Sequence, residues 1–271
     1  MNKDLKDKTL DELEQIVVEM GQKKYLAEYI FSFIHTKGTT EISQITPLSK
    51  DFRGQLAQQG YYISGLSIQK KLADKDGTIK YVFSLADGSR IETVLLRDDG
   101  RRTLCISTQV GCALGCTFCA TAKLGFQRNL TAGEIVDQVN VVERLNGCDA
   151  RLVERRTLNA NYTGRANDRR KTRINNVVYM GMGEPLLNYN SVLKSVRILN
   201  HPTGKNIGIR HITISTCGIV PGIKKLANED IAPRLAVSLN APTDTLRTQL
   251  MPINVKYPIA ELLKAVRIYQ N

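Results

Sequence analysis

Four of the six cysteines fall within fifteen residues, Cys105 to Cys119, in the stretch CISTQVGCALGCTFCATAKLGFQRN. Cys112, Cys116 and Cys119 are spaced four and three residues apart. That spacing lets one loop wrap three corners of a cubane iron–sulfur cluster, whose four irons are usually each held by a thiolate. No fourth cysteine stands at ligand spacing downstream, because Cys148 follows a whole helical segment. Three thiolates leave one iron open to a small molecule. Zinc is the competing metal, but it takes four ligands, usually paired cysteines or histidines. The three histidines, His35, His201 and His211, lie far from the loop. Ligand counting therefore favours the open cluster.

Other residues could do chemistry on their own terms. Gly183 and Glu184, in MGMGEP, follow an apolar strand pattern. Glycines there allow close backbone approach, and a carboxylate can accept from an ammonium group, although such a turn is a weak motif alone. Glu92, in RIETV, stands thirteen residues before Cys105. Without further context, Glu92 reads as a surface carboxylate and Cys105 as a small buried strand residue.

The elements that must position these groups follow from periodicity. Residues 1–60 read as a small helical domain. LDELEQIVVEM carries Leu10, Leu13, Ile16, Val17 and Met20 at helical spacing, KYLAEYIFSFIH repeats the pattern, and SKDFRGQLAQQG supplies a third helix. Residues 61–101 alternate, with Asp-Gly pairs at 76–77 and 87–88, and predict an antiparallel β extension. From residue 102 to 271 strands and helices alternate. The strands are RTLCISTQV, NNVVYMGM, RHITIST and RLAVSLNA. The helix TAGEIVDQVNVVERLNG opens on a capping box, Thr131 and Glu134, and is predicted to end at Gly147. Strands this apolar predict a parallel sheet buried on both faces. The fold class is α/β, a partial (β/α) barrel of four units preceded by the helical domain and the β extension. Four strands cannot close a barrel and leave a bare edge, so the C-terminal part of a larger protein is expected to be absent. Residues 151–173 hold eight Lys/Arg against two acids without periodicity and predict a basic loop.

The formal net charge is +12. An excess this large points to a polyanionic partner, most often nucleic acid. With no tryptophan and 6% aromatic residues, a phosphate-tracking basic surface fits better than a stacking platform. The charged N-terminus, MNKDLKDKTLDELEQ, is not a secretory signal. No apolar run reaches the roughly 18 residues of a membrane span, so a cytoplasmic protein without membrane contact is expected. In that compartment clustered cysteines read as a metal or redox site, not a disulfide framework.

The C-x3-C-x2-C pattern, with Phe118 before its last cysteine, resembles the radical S-adenosylmethionine signature. The longer stretches TLCISTQVGCALGCTFCATAKLGFQRNLTAGEIVDQV, NNVVYMGMGEPLLNYNSV, ITISTCGIVPGI and LAVSLNAPTDTLRTQLMPIN resemble the RlmN family. That family methylates C2 of adenosine in 23S rRNA (the position 2503 type) and of adenosine 37 in tRNA; Cfr, which acts at C8, is its near relative. The resemblance implies a [4Fe-4S] cluster on Cys112, Cys116 and Cys119, with S-adenosylmethionine on the open iron. It implies cofactor contacts at Gly183, Glu184, Ser215, Ser238, Leu239 and Asn240. The family often has histidine where this chain has Asn240. Glu92 matches the family's proton acceptor, and Cys105 the thiol that resolves a protein–RNA crosslink by disulfide formation. The transferred carbon is carried on a methylated cysteine near the family's C-terminus, which neither Cys148 nor Cys217 matches. Residues 1–271 are therefore expected to hold the cluster and much of the cofactor site without completing the transfer. The implied partners are 23S rRNA, tRNA and an electron donor such as flavodoxin, with the protein a monomer. The alternatives are C8 chemistry and an inactive cluster- or RNA-binding fragment.

Overall fold

A computed structural model describes residues 3–98, 100–157 and 173–270. Helices α1 (Leu10–Glu19), α2 (Leu26–His35) and α3 (Lys50–Gln58) form the N-terminal part. α1 starts on a complete capping box between Thr9 and Glu12, which satisfies two orphan backbone donors. Strands β1 (Ser67–Ala73), β2 (Ile79–Ser84) and β3 (Arg90–Asp98) form the expected antiparallel meander. Gly77 and Gly88 of the two Asp-Gly pairs take positive φ at its turns.

The meander extends the main sheet. β3 pairs antiparallel with β4 (Arg101–Cys105), and β4 continues in parallel to β7 (Asn176–Tyr179), β8 (Ile212–Thr216) and β9 (Arg234–Val237). The seven strands run in the order β1-β2-β3-β4-β7-β8-β9. The cysteine segment is more structured than a plain loop. β5 (Gln109–Gly111) and β6 (Phe126–Asn129) form a small hairpin around the short helix α4 (Ala120–Lys123).

The chain crosses between parallel strands through α5 (Ala132–Thr157), α6 (Tyr189–Asn200) and α7 (Val220–Leu226), while α8 (Asp244–Leu250) and α9 (Ile259–Gln270) follow β9. The Thr131–Glu134 capping box forms as expected, with both reciprocal bonds made, at 2.9 and 3.1 Å. Two expectations are corrected. α5 does not end at Gly147 but runs to Thr157. A mid-helix glycine costs only about 1 kcal/mol against alanine, and residues 149–156 are mostly good helix formers. The first part of the expected basic loop is thus helical; its residues 158–172 lie outside the described residues. Nor is the sheet buried equally on both faces. Tyr81, Phe83, Leu95, Leu104, Val177, Tyr179, Ile212 and Ile214 are buried. The opposite face, with Glu92, Cys105, Val178 and Ser215, is only half-buried. Helices cover one side: Thr93 on β3 donates to Gln138 of α5 at 2.7 Å, and Tyr179 on β7 shares a hydrogen bond with Ser195 of α6. The other side is the inner wall of an open, partial barrel.

The N-terminal helices dock on α5 through a buried ion pair. Lys6 and Asp137 are each 1% exposed and lie 2.5 Å apart. Lys6 also donates to the Ser64 carbonyl, and Asp137 accepts from the Leu66 amide. Such a pair adds little net stability, because desolvation offsets the Coulomb gain, but breaking it leaves one charge stranded. Asp137→Ala is expected to lower unfolding free energy by about 3–5 kcal/mol, and Lys6→Met with Asp137→Leu by clearly less. Denaturant unfolding of both variants measures the difference.

Candidate functional site

The cysteine segment is held by its own backbone. Gly111 has φ +74, and a Cβ there would sit 1.6 Å from the Gly125 carbonyl oxygen. Only glycine lets β5 and the end of α4 approach so closely. The Cys112 amide then donates to that carbonyl at 3.1 Å. The Thr117 amide donates to the Leu250 carbonyl at the end of α8, and the Cys119 amide to the Cys116 carbonyl. Cys116 is buried; Cys112 and Cys119 are half-buried. All three occupy one short, pinned segment beside the carboxyl ends of the parallel strands. Among the described residues no three or more His, Cys, Asp or Glu side chains converge as they would on a single metal ion. A cubane makes a different demand, since each thiolate takes a separate iron at a separate corner.

Opposite the cysteine segment, the turn after β7 packs tightly against the β4–β5 connection. A Cβ at Gly181 would meet the Ile106 carbonyl and Ser107 Oγ at 2.7 Å, and one at Gly183 would meet Gln109 at 2.5 Å. The glycines of MGMGEP thus bring the backbone close to the protein's own strand. This close fit aims Glu184. Its amide donates to Gln109 Oε1 at 2.8 Å. Its carboxylate, 1% exposed, accepts from the Leu186 amide at 3.0 Å and the Cys217 amide at 2.8 Å. Burial pushes its proton affinity up, and backbone donors from Cys217 and Leu186 oppose that. Among the described residues it has no Lys or Arg ion partner.

Cys217, which sequence reasoning set aside, stands at this junction. Its thiol donates to Cys116, so Cys116 gives up its proton the more easily of the two, while the bond and burial hold the Cys217 proton on. The Glu184 charge is felt at Cys112, Cys116 and Cys217. The Arg247 charge is felt at Cys116 and Cys217, but its guanidinium bonds to the Cys217 and Leu239 carbonyls and to Asn254. Glu184 has no ion pair among the described residues, and an unpaired buried carboxylate is costly. It fits a positively charged occupant. A carboxylate offers about four acceptor positions; the Leu186 and Cys217 amides and the Thr216 and Cys217 side chains bond to this one, so an ammonium group would take the place of a side-chain donor. The donor set therefore fits a thiolate-held cluster with an amino-acid ligand beside it.

The remaining predicted residues line the open wall. Ser215 is on β8, and Ser238 follows β9, where its amide donates to the Thr216 carbonyl at 2.9 Å. Asn240 has φ +58 and donates to Met251 Sδ at 3.3 Å. Asn and His both tolerate left-handed backbone better than most residues, which accounts for either one at this position. Glu92 and Cys105 meet only through the sheet. Cys105 pairs with Val94, two residues from Glu92 on the same face of β3. Diagonal neighbours of this kind lie roughly 7–8 Å apart. Glu92 is half-exposed and bridges to Lys80 at 2.6 Å.

One buried residue beside the site had no signal in the sequence. Arg247 of α8 is fully buried and acts as a bracket. It donates to the Leu239 carbonyl at 3.2 Å, the Cys217 carbonyl at 2.6 Å and Asn254 Oδ1 at 2.7 Å. It thereby ties the ends of β8 and β9 together. Nothing in LRTQLMPIN marks it; the buried carbonyls it meets distinguish it.

Fold and site together define a cluster-binding partial (β/α) barrel of the radical S-adenosylmethionine type, fronted by a helical domain. A model of the radical SAM superfamily matches residues 163–271, and one of the ribosomal RNA large subunit methyltransferase N-terminal domain matches residues 3–61. The chain is 44% identical over 261 residues to "Probable dual-specificity RNA methyltransferase RlmN" of Geobacillus kaustophilus, covering 96% of this chain and 66% of that one. It is 44% identical over 269 residues to the protein of the same name from Thermotoga neapolitana, covering 99% and 71%. A crystal structure of a radical SAM methyltransferase from Sphaerobacter thermophilus superimposes with a TM-score of 0.84 at 42% identity, covering 99% of this chain and 72% of that one. The chain belongs to the RlmN family of the radical SAM superfamily, whose members use a [4Fe-4S] cluster and S-adenosylmethionine. It spans about two thirds of the length of these curated relatives.

Burial pushes the Cys105 thiol from an ordinary 9.0 up to about 11, partly opposed by the Met180 amide. The folded chain keeps this proton after the unfolded chain has lost it. The group therefore weakens folding as pH climbs from about 9 toward 11. In cluster-free protein, alkylation of Cys105 is expected to accelerate about tenfold per pH unit from 8 to 10, as mass-spectrometric labelling would show. A rate already flat above pH 9 would contradict the burial effect.

Proposed function

We propose that these residues belong to an RNA methyltransferase that places a methyl group on C2 of adenosine in 23S rRNA and tRNA. The observation that carries this reading is the buried Glu184 carboxylate, which has no ion pair among the described residues and whose charge reaches Cys112, Cys116 and Cys217 at the strand ends. In this reading Cys112, Cys116 and Cys119 hold three corners of the cluster. Glu184, with the Gly183 turn, accepts from the ammonium of the cofactor's methionine part, and Ser215 and the Ser238–Leu239–Asn240 segment seat the remainder. When bound, the cluster and S-adenosylmethionine supply a methyl donor and a hydrogen-abstracting carbon radical. Glu92, which pairs with Lys80 at 2.6 Å, takes the proton from the adenine ring. Cys105 acts as the resolving thiol that frees the product from the carrier cysteine. Arg247 keeps the Cys217 and Leu239 backbone in register for cofactor seating. The electron for reductive cleavage comes from a donor such as flavodoxin, and the protein works as a monomer in the cytoplasm.

Anaerobic reconstitution tests the assignment. Residues 1–271 are expected to develop an iron–sulfur chromophore and to bind S-adenosylmethionine, and Cys112→Ala to abolish the chromophore. An unchanged spectrum in that variant would refute the ligand set. None of the six cysteines matches the methyl carrier, so these residues alone are expected to leave RNA unmethylated; methylated product from them would refute that expectation. Once the carrier is supplied, digestion and mass spectrometry of the RNA should yield 2-methyladenosine. Only 8-methyladenosine would overturn the C2 reading in favour of Cfr-like chemistry.

A further inference from the structure

The amino-terminal ends of the parallel strands carry a second cleft, at the opposite end of the sheet from the cysteines. Its volume is about 430 Å³, and Gly100, Arg101, Arg173, Asn175, Asn206 and His211 line it. A four- to five-residue strand separates it from the cysteine end by roughly 15 Å, at about 3.3 Å per residue. The floor is fixed: Asn175 accepts from the Arg102 amide at 2.9 Å and donates to the Gly100 carbonyl at 3.1 Å. The charge around it is mostly positive, with Asp98 standing opposite Arg101 across the β3–β4 pair. Arg97 and Arg102 are direct cross-strand partners, an arrangement of like charges that destabilises a sheet. Burial and the Arg97 charge both disfavour the Arg102 cation. The neighbouring carboxylate, Glu143, is committed to Lys205 and to the Ile174 amide. Arg101, Arg102 and Arg173 form no ion pair with another described residue. Among the described residues no carboxylate lines the cleft.

We propose that this cleft docks the phosphodiester backbone of the RNA substrate, away from the base that reacts. Guanidinium forks match phosphate oxygens bidentately, and His211, Asn175 and Asn206 add polar groups around the same space. A structured RNA is large enough to touch both ends of the sheet at once, so the cleft would set the register of the RNA and not its sequence preference. The proposal rests on the reading of the protein as an RNA enzyme.

Fluorescence anisotropy with a labelled RNA stem-loop, at several salt concentrations, tests it on the 271-residue chain. Each lost phosphate contact should lower the slope of log affinity against log salt by about 0.9. Arg101→Gln with Arg173→Gln is expected to reduce the slope by about 1.8 and to weaken binding about tenfold or more. Arg173→Gln alone, at an exposed position that should not disturb folding, is expected to reduce it by about 0.9. Lys264→Gln with Arg267→Gln removes the same charge from α9, far along the chain, and is expected to leave the slope unchanged. Equal losses in both double variants would mean a net-charge effect and overturn the cleft. Unaltered binding in the Arg101/Arg173 variants would also overturn it, while leaving the proposed function standing. A wild-type chain that binds no RNA would sink both.

Discussion

The buried carboxylate of Glu184 is the constraint on which the rest of the site depends. Its amide reaches back to Gln109 on β5, and its oxygens reach forward to the turn at Leu186 and across to Cys217 after β8. The start of β5, the turn after β7 and the end of β8 are therefore tied together by one side chain and its backbone. An acidic group held this deep needs every donor in place, because an unsatisfied buried charge costs several kcal/mol. The turn can adopt no other position while that condition is met. Gly181 and Gly183 make the approach sterically possible, and the cysteine segment lies alongside it.

Around this point the protein uses buried polar brackets where apolar packing would hold elements less specifically. Gln138 accepts from the Ser107 amide and donates to the Ser107 carbonyl, while also receiving the Thr93 hydroxyl. Asn188 donates to the Thr108 and Leu130 carbonyls, closing the connection from the other side. Arg247 does the same for the ends of β8 and β9. Hydrogen bonds fix direction as well as distance, which a greasy contact does not. Loops at strand ends have carbonyls and amides that must find partners when buried. Here those partners come from the neighbouring helices, so the helical layer positions the loops as well as covering the sheet.

Much of this was legible in the sequence. The four and three residue spacing of the cysteines, the Asp-Gly turns of the meander, and the alternation of apolar strands with helices are local signals that the fold retains. The Thr131–Glu134 capping box is another, since it involves residues three apart. What was not legible depends on long-range contacts. Gly147 looked like a helix end because glycine commonly terminates helices, but the residues beyond it carry the helix on. The sheet looked buried on both faces because its strands are apolar, yet the inner wall of an open barrel keeps Glu92, Cys105 and Ser215 half-buried.

The sequence by itself determined which residue types stand at which short spacings: three thiols four and three residues apart, a glycine–carboxylate turn, and a formal net charge of +12. These are properties of residue type and short spacing, and they survive any arrangement of the rest. Only the tertiary structure decided that Cys217 joins the cysteines, that Glu92 and Cys105 share one sheet face, and that Arg247 locks two strand ends. Each of those facts joins residues that lie far apart in the chain. Sheet register and burial created the proximity, and no local pattern carries register.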